Sequence, residues 1–347
     1  MDTRAVLAIS HRTVLGTILG LALLGLAALP RTSQAAEKRF DRDFQVTPGG
    51  TLTVDADSSD IVINGTHRDR VEVHIIATGS QSAVDKVTMQ AQAGTDGVKV
   101  TVKRHFSLLG MVGHFDSKIQ IAVPQRYNLV LGSAGGDISI AQLQGSVGSN
   151  TAGGDVRLAS VTGNVKVRTA GGDIDVQDLT GDGELHTTGG DVTLHTVTGN
   201  SRVDTTGGDI RLEHLKGSVQ ASSGGGEILA ADVRGDSVLK STGGDIRAQG
   251  MDGRIEAGTT GGDITAELLG ANRGIDAHTT GGDITLRLAA DIKATLDASS
   301  TGGAVSSELP VTVTHNRESK LQGPINGGGP TIRARTLGGD IKLKTGR

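Results

Sequence analysis

The chain has no cysteine and no tryptophan, and its 347 residues include one tyrosine, four phenylalanines and six prolines. Each shortage removes a class of protein. Without cysteine there is no disulfide, no thiolate nucleophile and no acylated cysteine to tether the chain to a lipid. Stability must then come from hydrogen-bonded ladders and packing. So few large aromatics make an ordinary globular core an awkward fit, and they deny a sugar-gripping groove its flat platforms. Scarce proline excludes collagen and polyproline architectures, although glycine is abundant at 53 residues. HExxH, GxSxG, GxxxxGKS/T and GxGxxG are all missing, so no catalytic, cofactor-binding or metal-binding residue set is expected and no cofactor is called for.

The first 35 residues read as a secretory signal: Arg4 and Arg12 precede an apolar run over 14–29, and Ser33-Gln34-Ala35 offers small residues for cleavage after Ala35. That run of 16 residues falls just short of the roughly 17 to 25 that span a bilayer, which leaves an uncleaved anchor as the alternative. After cleavage no stable membrane insertion is expected, and the destination is the periplasm or the cell surface. Loss of residues 1–35 leaves 31 basic against 37 acidic side chains, a net charge of −6. Such a surface is a poor match for nucleic acid.

What the chain does have is a repeat. The first glycine of each Gly-Gly-acid triplet falls at Gly135, Gly153, Gly171, Gly189, Gly207, Gly225, Gly243 and Gly261, a step of 18 every time. The spacing then loosens to Gly281 and Gly302, and a last copy stands at Gly338-Gly339-Asp340. Within a unit the apolar residues alternate, which is the period of a strand. Each unit splits into two halves of nine, a glycine turn followed by about five alternating residues. The expected fold is therefore all-β: a parallel β-solenoid with 18-residue coils and two strands per coil, successive coils stacking about 4.8 Å apart. Helix-pair repeats and propeller blades need roughly 33 to 45 residues per unit and do not fit.

Alternation assigns Ile138, Val156, Ile174, Val192, Ile210, Ile228, Ile246 and Ile264 to one inward column, and Ile140, Leu158, Val176, Leu194 and Leu212 to the next. The second strand gives Val167, Leu185, Val203 and Ala221, followed by the hydroxyl column Thr151, Thr169, Thr187, Thr205, Ser223, Ser241 and Thr259. Residues 132–309 form the repeat region. Residues 36–131 hold all the aromatics after the signal, Phe40, Phe44, Phe106, Phe115 and Tyr127, and read as an N-terminal β cap with strands at 51–55, 60–64, 71–76, 98–102 and 118–123. Within it 57–65 is already coil-like, and 83–90 is either a short helix or a strand. Residues 310–347 are an irregular segment followed by one more strand pair. Caps are expected because open sheet edges polymerise. The apolar stretch around Leu108-Leu109-Gly110-Met111-Val112 reads as a loop folded over the core, or else as a contact with a membrane or partner.

Three sets of side chains invite chemistry. Asp137, Asp155, Asp173, Asp191, Asp209, Glu227, Asp245, Asp263 and Asp283 suggest calcium, but a calcium β-roll sets a further glycine and a spacer before its aspartate. The simpler reading is a turn in which glycine supplies positive φ and the carboxylate accepts backbone N–H bonds. The hydroxyl column suggests ice binding, yet it faces inward, where its hydroxyls are expected to bond neighbouring carbonyls. His186, His195, His214 and His278 lie in different columns or distant coils, without ligand spacing. Secreted β-helix polysaccharide lyases and hydrolases are the enzymatic alternative, but their coils are longer and their grooves richer in aromatics. A self-assembling filament is a third option.

Phe44-x-Val46-x-Pro48-Gly49-Gly50-x-Leu52, Val123-Pro124 before Leu129-Val130, the serial Gly-Gly-Asp-Ile/Val units and Ile325-Asn326-Gly327-Gly328 before Gly339-Asp340-Ile341 together resemble the bacterial putative-adhesin family, over about residues 40–345. That family is a domain of unknown function described by β-strand repeats. The resemblance implies the repeat fold and a binding role in the cell envelope, towards an envelope protein or glycan, and brings no catalytic residues.

Overall fold

The computed structural model describes residues 36–105 and 115–346. The expected signal at 1–35 and the apolar loop around 108–112 lie outside the described residues. Within them the fold is all-β: 29 strands belong to one hydrogen-bonded network, and the helix recorded beside them is the single turn Gln81–Val84.

Segments 18 residues apart lie on top of one another and share backbone hydrogen bonds. Val156–Thr162 pairs in parallel with Ile174–Thr180, which pairs with Val192–Thr198 and then Ile210–Lys216, each Cα partner 18 positions on. A second ladder runs through Val165–Thr169, Gly183–Thr187 and Ser201–Thr205 in the same way. The inward columns assigned from alternation are buried, from Ile138 to Ile264 and from Ile140 to Leu212. Each aliphatic side chain taken from water is worth about 1.5–3 kcal/mol before chain entropy is subtracted, and only a stack of coils supplies neighbours on both sides.

One column of the core escaped the alternation. Val156–Thr162 bends at Ser160, which sits in the left-handed region at φ 56°, as do Gln142, Asp178, Thr196, His214 and Asp232, with Gly250 in the next coil. A left-handed residue advances the chain without a ladder bond: Ala159 pairs with Gln177 and Val161 with Leu179, and the residue between is skipped. The period of two restarts one position late. Leu143, Val161, Leu179, Val197, Leu215 and Val233 therefore form a further buried column.

The glycine turns also work differently from the expectation. In the Gly-Gly-acid turn the second glycine has no positive φ, Gly136 at φ 89° excepted; it is there because coils approach too closely for a side chain. A Cβ on Gly190 would lie 2.1 Å from the carbonyl oxygen of Gly172. Positive φ belongs to the other turn, as at Gly199 with φ 142°.

The N-terminal part contains β1 (Ala36–Gln45), β2 (Thr51–Ser58), β3 (Asp60–Thr66), β4 (Arg70–Gly79), α1 (Gln81–Val84), β5 (Val87–Ala93), β6 (Gly97–Arg104), β7 (Phe115–Pro124), β8 (Asn128–Gly135) and β9 (Ile138–Gln144). All five strands read from the sequence are present, and 83–90 divides between the end of α1 and the start of β5. β2 lies between β6 and β8, and β3 between β7 and β9, all parallel. The first coil of the chain is thus an interior layer, as the coil-like 57–65 foreshadows. Beyond it the pairing turns antiparallel, β5 on β6, β4 on β7 and β1 on β4. Ala83 and Val84 are buried at this end.

The other end repeats the device. The last strand pair, Thr331–Thr336 and Ile341–Thr345, inserts one layer in: Ile332 pairs with Ile275 on one side and Leu296 on the other, and Ile341 with Ile284 and Val305. Lys320–Ile325 then runs antiparallel along Ala294–Ser300 and ends that ladder's parallel run.

Candidate binding surface

At the Gly-Gly-acid corner the aspartate carboxylates accept the backbone N–H of the residue one layer on, a bond that Glu227 does not make. The Asp191 amide donates to Asp173 Oδ1 at 2.8 Å, Asp209 to Asp191 at 2.7 Å and Glu227 to Asp209 at 2.8 Å. The ladder follows space rather than sequence, running from Asp283 to the amide of Asp340 and from Asp340 to that of Ala304. The hydrogen bond donated by the Asp340 backbone amide, then that from Lys342, holds the Asp283 carboxyl below its usual range against the opposing effect of burial. One oxygen of each bonded aspartate is committed to the backbone, which is the turn role read from the sequence.

From Thr169 onwards the hydroxyl column is bonded twice, whereas the buried Thr151 hydroxyl at its start has no hydrogen-bond partner among the described residues. Thr187 Oγ1 donates to the Gly172 carbonyl at 2.9 Å and accepts from the Gly190 amide at 3.2 Å, a pattern repeated at Thr169, Thr205 and Ser223. These hydroxyls tie one coil to the next and offer nothing to solvent. A third ladder, missed in the sequence, sits at the opposite turn: Asn164 Oδ1 accepts from the Asp182 amide, Asp182 from Asn200 and Asn200 from Ser218. Its signal was the Asn or Asp that follows Gly163, Gly181 and Gly199 at the same period.

With three ladders fixing the two turns, the outward residues form rows of known register. On the shorter-strand face Glu184 binds Lys166 at 2.8 Å and Arg168 at 2.6 Å, Lys240 binds Glu256 at 3.0 Å, and Arg333 spans Asp276 at 3.2 Å and Asp297 at 3.7 Å. The Lys166 hydrogen bond lowers the Glu184 pKa, and Lys240 does the same for Glu256. On the other face Arg157 bridges Asp137 and Asp155, Arg247 bridges Glu227 and Asp245, and Lys342 bridges Asp283 and Asp340. The rows are mixed in sign, and such exposed pairs are each worth little. Val130, Gly132, Gly148 and Asn150 interrupt the charged face with an uncharged stretch two coils wide.

Column bookkeeping separated His195 from His214, but the structure brings them together. They are one residue out of register on adjacent coils, with ring centroids 5.4 Å apart edge to face. His214 Nδ1 lies 3.1 Å from Asp232, and Thr196 Oγ1 lies 3.0 Å from His195. His278 covers Gly258 on the other ladder, far from them in sequence, and His186 is exposed on that face between its ladder partners Arg168 and Asp204 on the adjacent strands. Among the described residues no group of three or more histidine, aspartate or glutamate side chains has the spacing to hold a metal ion.

Near the N-terminal end Ser59 and Ser117 are buried and bonded to each other through their hydroxyls, and Ser117 donates to the Ser58 carbonyl at 3.0 Å. Phe115 borders the same recess, with the Arg104 guanidinium 4.8 Å from its ring centre.

The family model for the Toastrack DUF4097 domain matches residues 50–237 and again 233–344. The chain belongs to this family. Its two Toastrack matches meet inside the regular stack, in the strand Ile228–Arg234 and the turn after it, with no break in register between Ile228–Arg234 and the strand beginning at Ile246. Among solved structures, a putative adhesin from Bacteroides fragilis is 18% identical with a TM-score of 0.36, over 89% of this chain and 97% of that one. A putative lipid binding protein from Parabacteroides distasonis is 14% identical with a TM-score of 0.30, over 88% and 96%. A putative adhesin from Parabacteroides merdae is 12% identical with a TM-score of 0.33, over 72% and 96%. No curated protein matches.

Proposed function

We propose that this Toastrack protein is an exported β-solenoid of the cell envelope, periplasmic or surface-exposed, that acts as a binding scaffold for an envelope protein or glycan and not as an enzyme. The carrying observation is where its reactive side chains go. Most of the repeated acids and the repeated hydroxyls are engaged in inter-coil ladders, which leaves the outward rows as what the molecule presents. Those rows are held in register over the regular coils, so a partner meets an extended surface and not a pocket. The names borne by its structural relatives agree with such a role. Among the described residues no helix is long and apolar enough to cross a membrane.

The test is a pull-down from envelope fractions with the full chain and two kinds of variant. Single changes on the rows, such as Arg168→Ala, should leave capture within about fivefold, because exposed pairs contribute about 0–1 kcal/mol. Removing one coil, residues 174–191, which keeps the ladder register, should leave a folded protein with clearly reduced capture. Turnover of an envelope polysaccharide that a single charge-removing change abolishes would overturn the reading. Calcium and chelator should give the same melting temperature.

A further inference from the structure

Strand β5 ends its ladder without the usual protection. Among the described residues it pairs with β6 and with no other strand. The Gly94 amide donates to Gly97 and the His105 amide to Lys86, so even-numbered residues of β5 turn their backbone groups to β6 and odd-numbered ones turn theirs away. The Val87 carbonyl on that free side is taken by Lys38 Nζ at 2.7 Å. The N–H and C=O groups of Met89, Ala91 and Ala93 have no hydrogen-bond partner among the described residues. Open edges are ordinarily blunted by charge, proline, a bulge or shortness. β1, which edges the opposite ladder, carries six charged residues in ten, and at the other tip the edge His315–Arg317 is three residues long. β5 is seven residues, Val-Thr-Met-Gln-Ala-Gln-Ala, with no charge, glycine or proline.

The two ladders also end at different heights. β5 and β4 stand two layers out from β2 and β3, and β1 adds a further layer beside β4, so the place beside β5 and opposite β1 is one strand deep. Alternation turns Lys38, Phe40, Arg42 and Phe44 of β1 to one face. Phe40 and Phe44 are half-buried against the core and Lys38 reaches β5, so this face looks across to that place. Arg42 stands between the two aromatics, its guanidinium 5.3 Å from the centre of the Phe40 ring, and has no carboxylate partner among the described residues. An incoming strand therefore meets an aromatic, a cation and an aromatic, with no acid on β5 to compete for the cation.

We propose that the free edge of β5 is a docking site for an extended acidic segment of a partner protein, which adds as a strand, bonds the backbone of Met89, Ala91 and Ala93, sets a carboxylate against Arg42 and covers Phe40 and Phe44 with apolar side chains. In strand addition the backbone supplies affinity and alternate side chains supply selectivity. The site uses the tip and not the outward rows, so its failure would leave the scaffold reading untouched.

The test titrates the full chain, by fluorescence anisotropy, into the labelled and end-blocked peptide TVTETVT, whose valines and glutamate share one face, and into TVTKTVT. Saturable binding of TVTETVT is expected, with TVTKTVT about fivefold weaker or worse because an exposed ion pair is lost. Ala91→Pro removes an N–H that the chain itself does not use, so it should abolish binding and leave the melting temperature near that of the unaltered chain. Gln90→Pro, by contrast, cuts a bond to β6 and should lower the melting temperature. Arg42→Glu leaves the edge intact and decides the matter independently, since it should invert the preference between the two peptides. No saturable binding, equal affinity for the two peptides, full binding by Ala91→Pro or an unchanged preference in Arg42→Glu would each overturn the proposal. So would a dimer in sedimentation that Ala91→Pro dissolves, because a second copy would then hold the edge.

Discussion

Glu227 stands where the other members of its column are aspartate, and one extra methylene changes its partner. Its carboxylate is drawn to Arg247, and among the described residues the Asp245 amide donates to no carboxylate, although its counterparts at Asp209 and Asp263 do. Glu227→Asp should restore that rung and raise stability by about 0.5–1.5 kcal/mol, the net worth of one hydrogen bond, read as a shift in urea midpoint at constant slope. Arg247 keeps Asp245 at 2.9 Å in either case. A second misfit is Thr196, a β-branched residue held at φ 58°. Left-handed backbone costs an L-residue about 1–2 kcal/mol, and glycine returns part of that as unfolded-state entropy. Thr196→Gly should therefore stabilise by about 0.5–1 kcal/mol, and an unchanged or lower midpoint would contradict the strain. The same residues show why the third core column was hidden in the sequence. The left-handed position is filled by Gln142, Ser160, Asp178, Thr196, His214, Asp232 and Gly250 in turn, so it carries no residue signature. The acid and hydroxyl columns, by contrast, keep their chemistry from coil to coil and were readable as ladders.

At the scale of strands, the regular coils were legible because each partner lies one period away. The two inserted layers were not. Ile61 pairs with Ile138, 77 residues on, and Ile341 with Ile284 and Val305, so local periodicity has no access to either pairing. Insertion has a measurable signature. Strands at a chain end ordinarily fray and exchange their amides quickly. Ile341–Thr345 is flanked on both sides, and Ile341 and Leu343 are buried. In hydrogen exchange its amides should be protected as strongly as those of Ile210–Lys216 in the middle of the stack. Exchange typical of a free terminus would mean that the inserted layer does not form.

For the whole molecule, pH acts through carboxylates that the fold stabilises as anions. Asp283, Asp297, Glu184 and Glu256 all have pKa values below their unfolded ones, through hydrogen bonds from the Asp340 amide, Gln322, Lys166 and Lys240 respectively. A lowered carboxyl pKa contributes stability that is present above the unfolded value and lost as pH falls through the folded one. The melting temperature should accordingly be flat near neutrality and decline below about pH 4, where unfolded carboxyls begin to take up protons. Raising salt should reduce only the part due to exposed ion pairs. A decline that began on the alkaline side instead would contradict the assignment.

The placement of the last strand pair also decides how tension would travel. Any load hung from the end of Ile341–Thr345 enters the rod one rung inside its tip, with parallel neighbours gripping that rung on either flank. To give way, two rows of backbone bonds must slide at once, whereas an outermost strand would peel bond by bond. The far tip is so built that a tether fixed there would pull against the body of the rod and not against its cap.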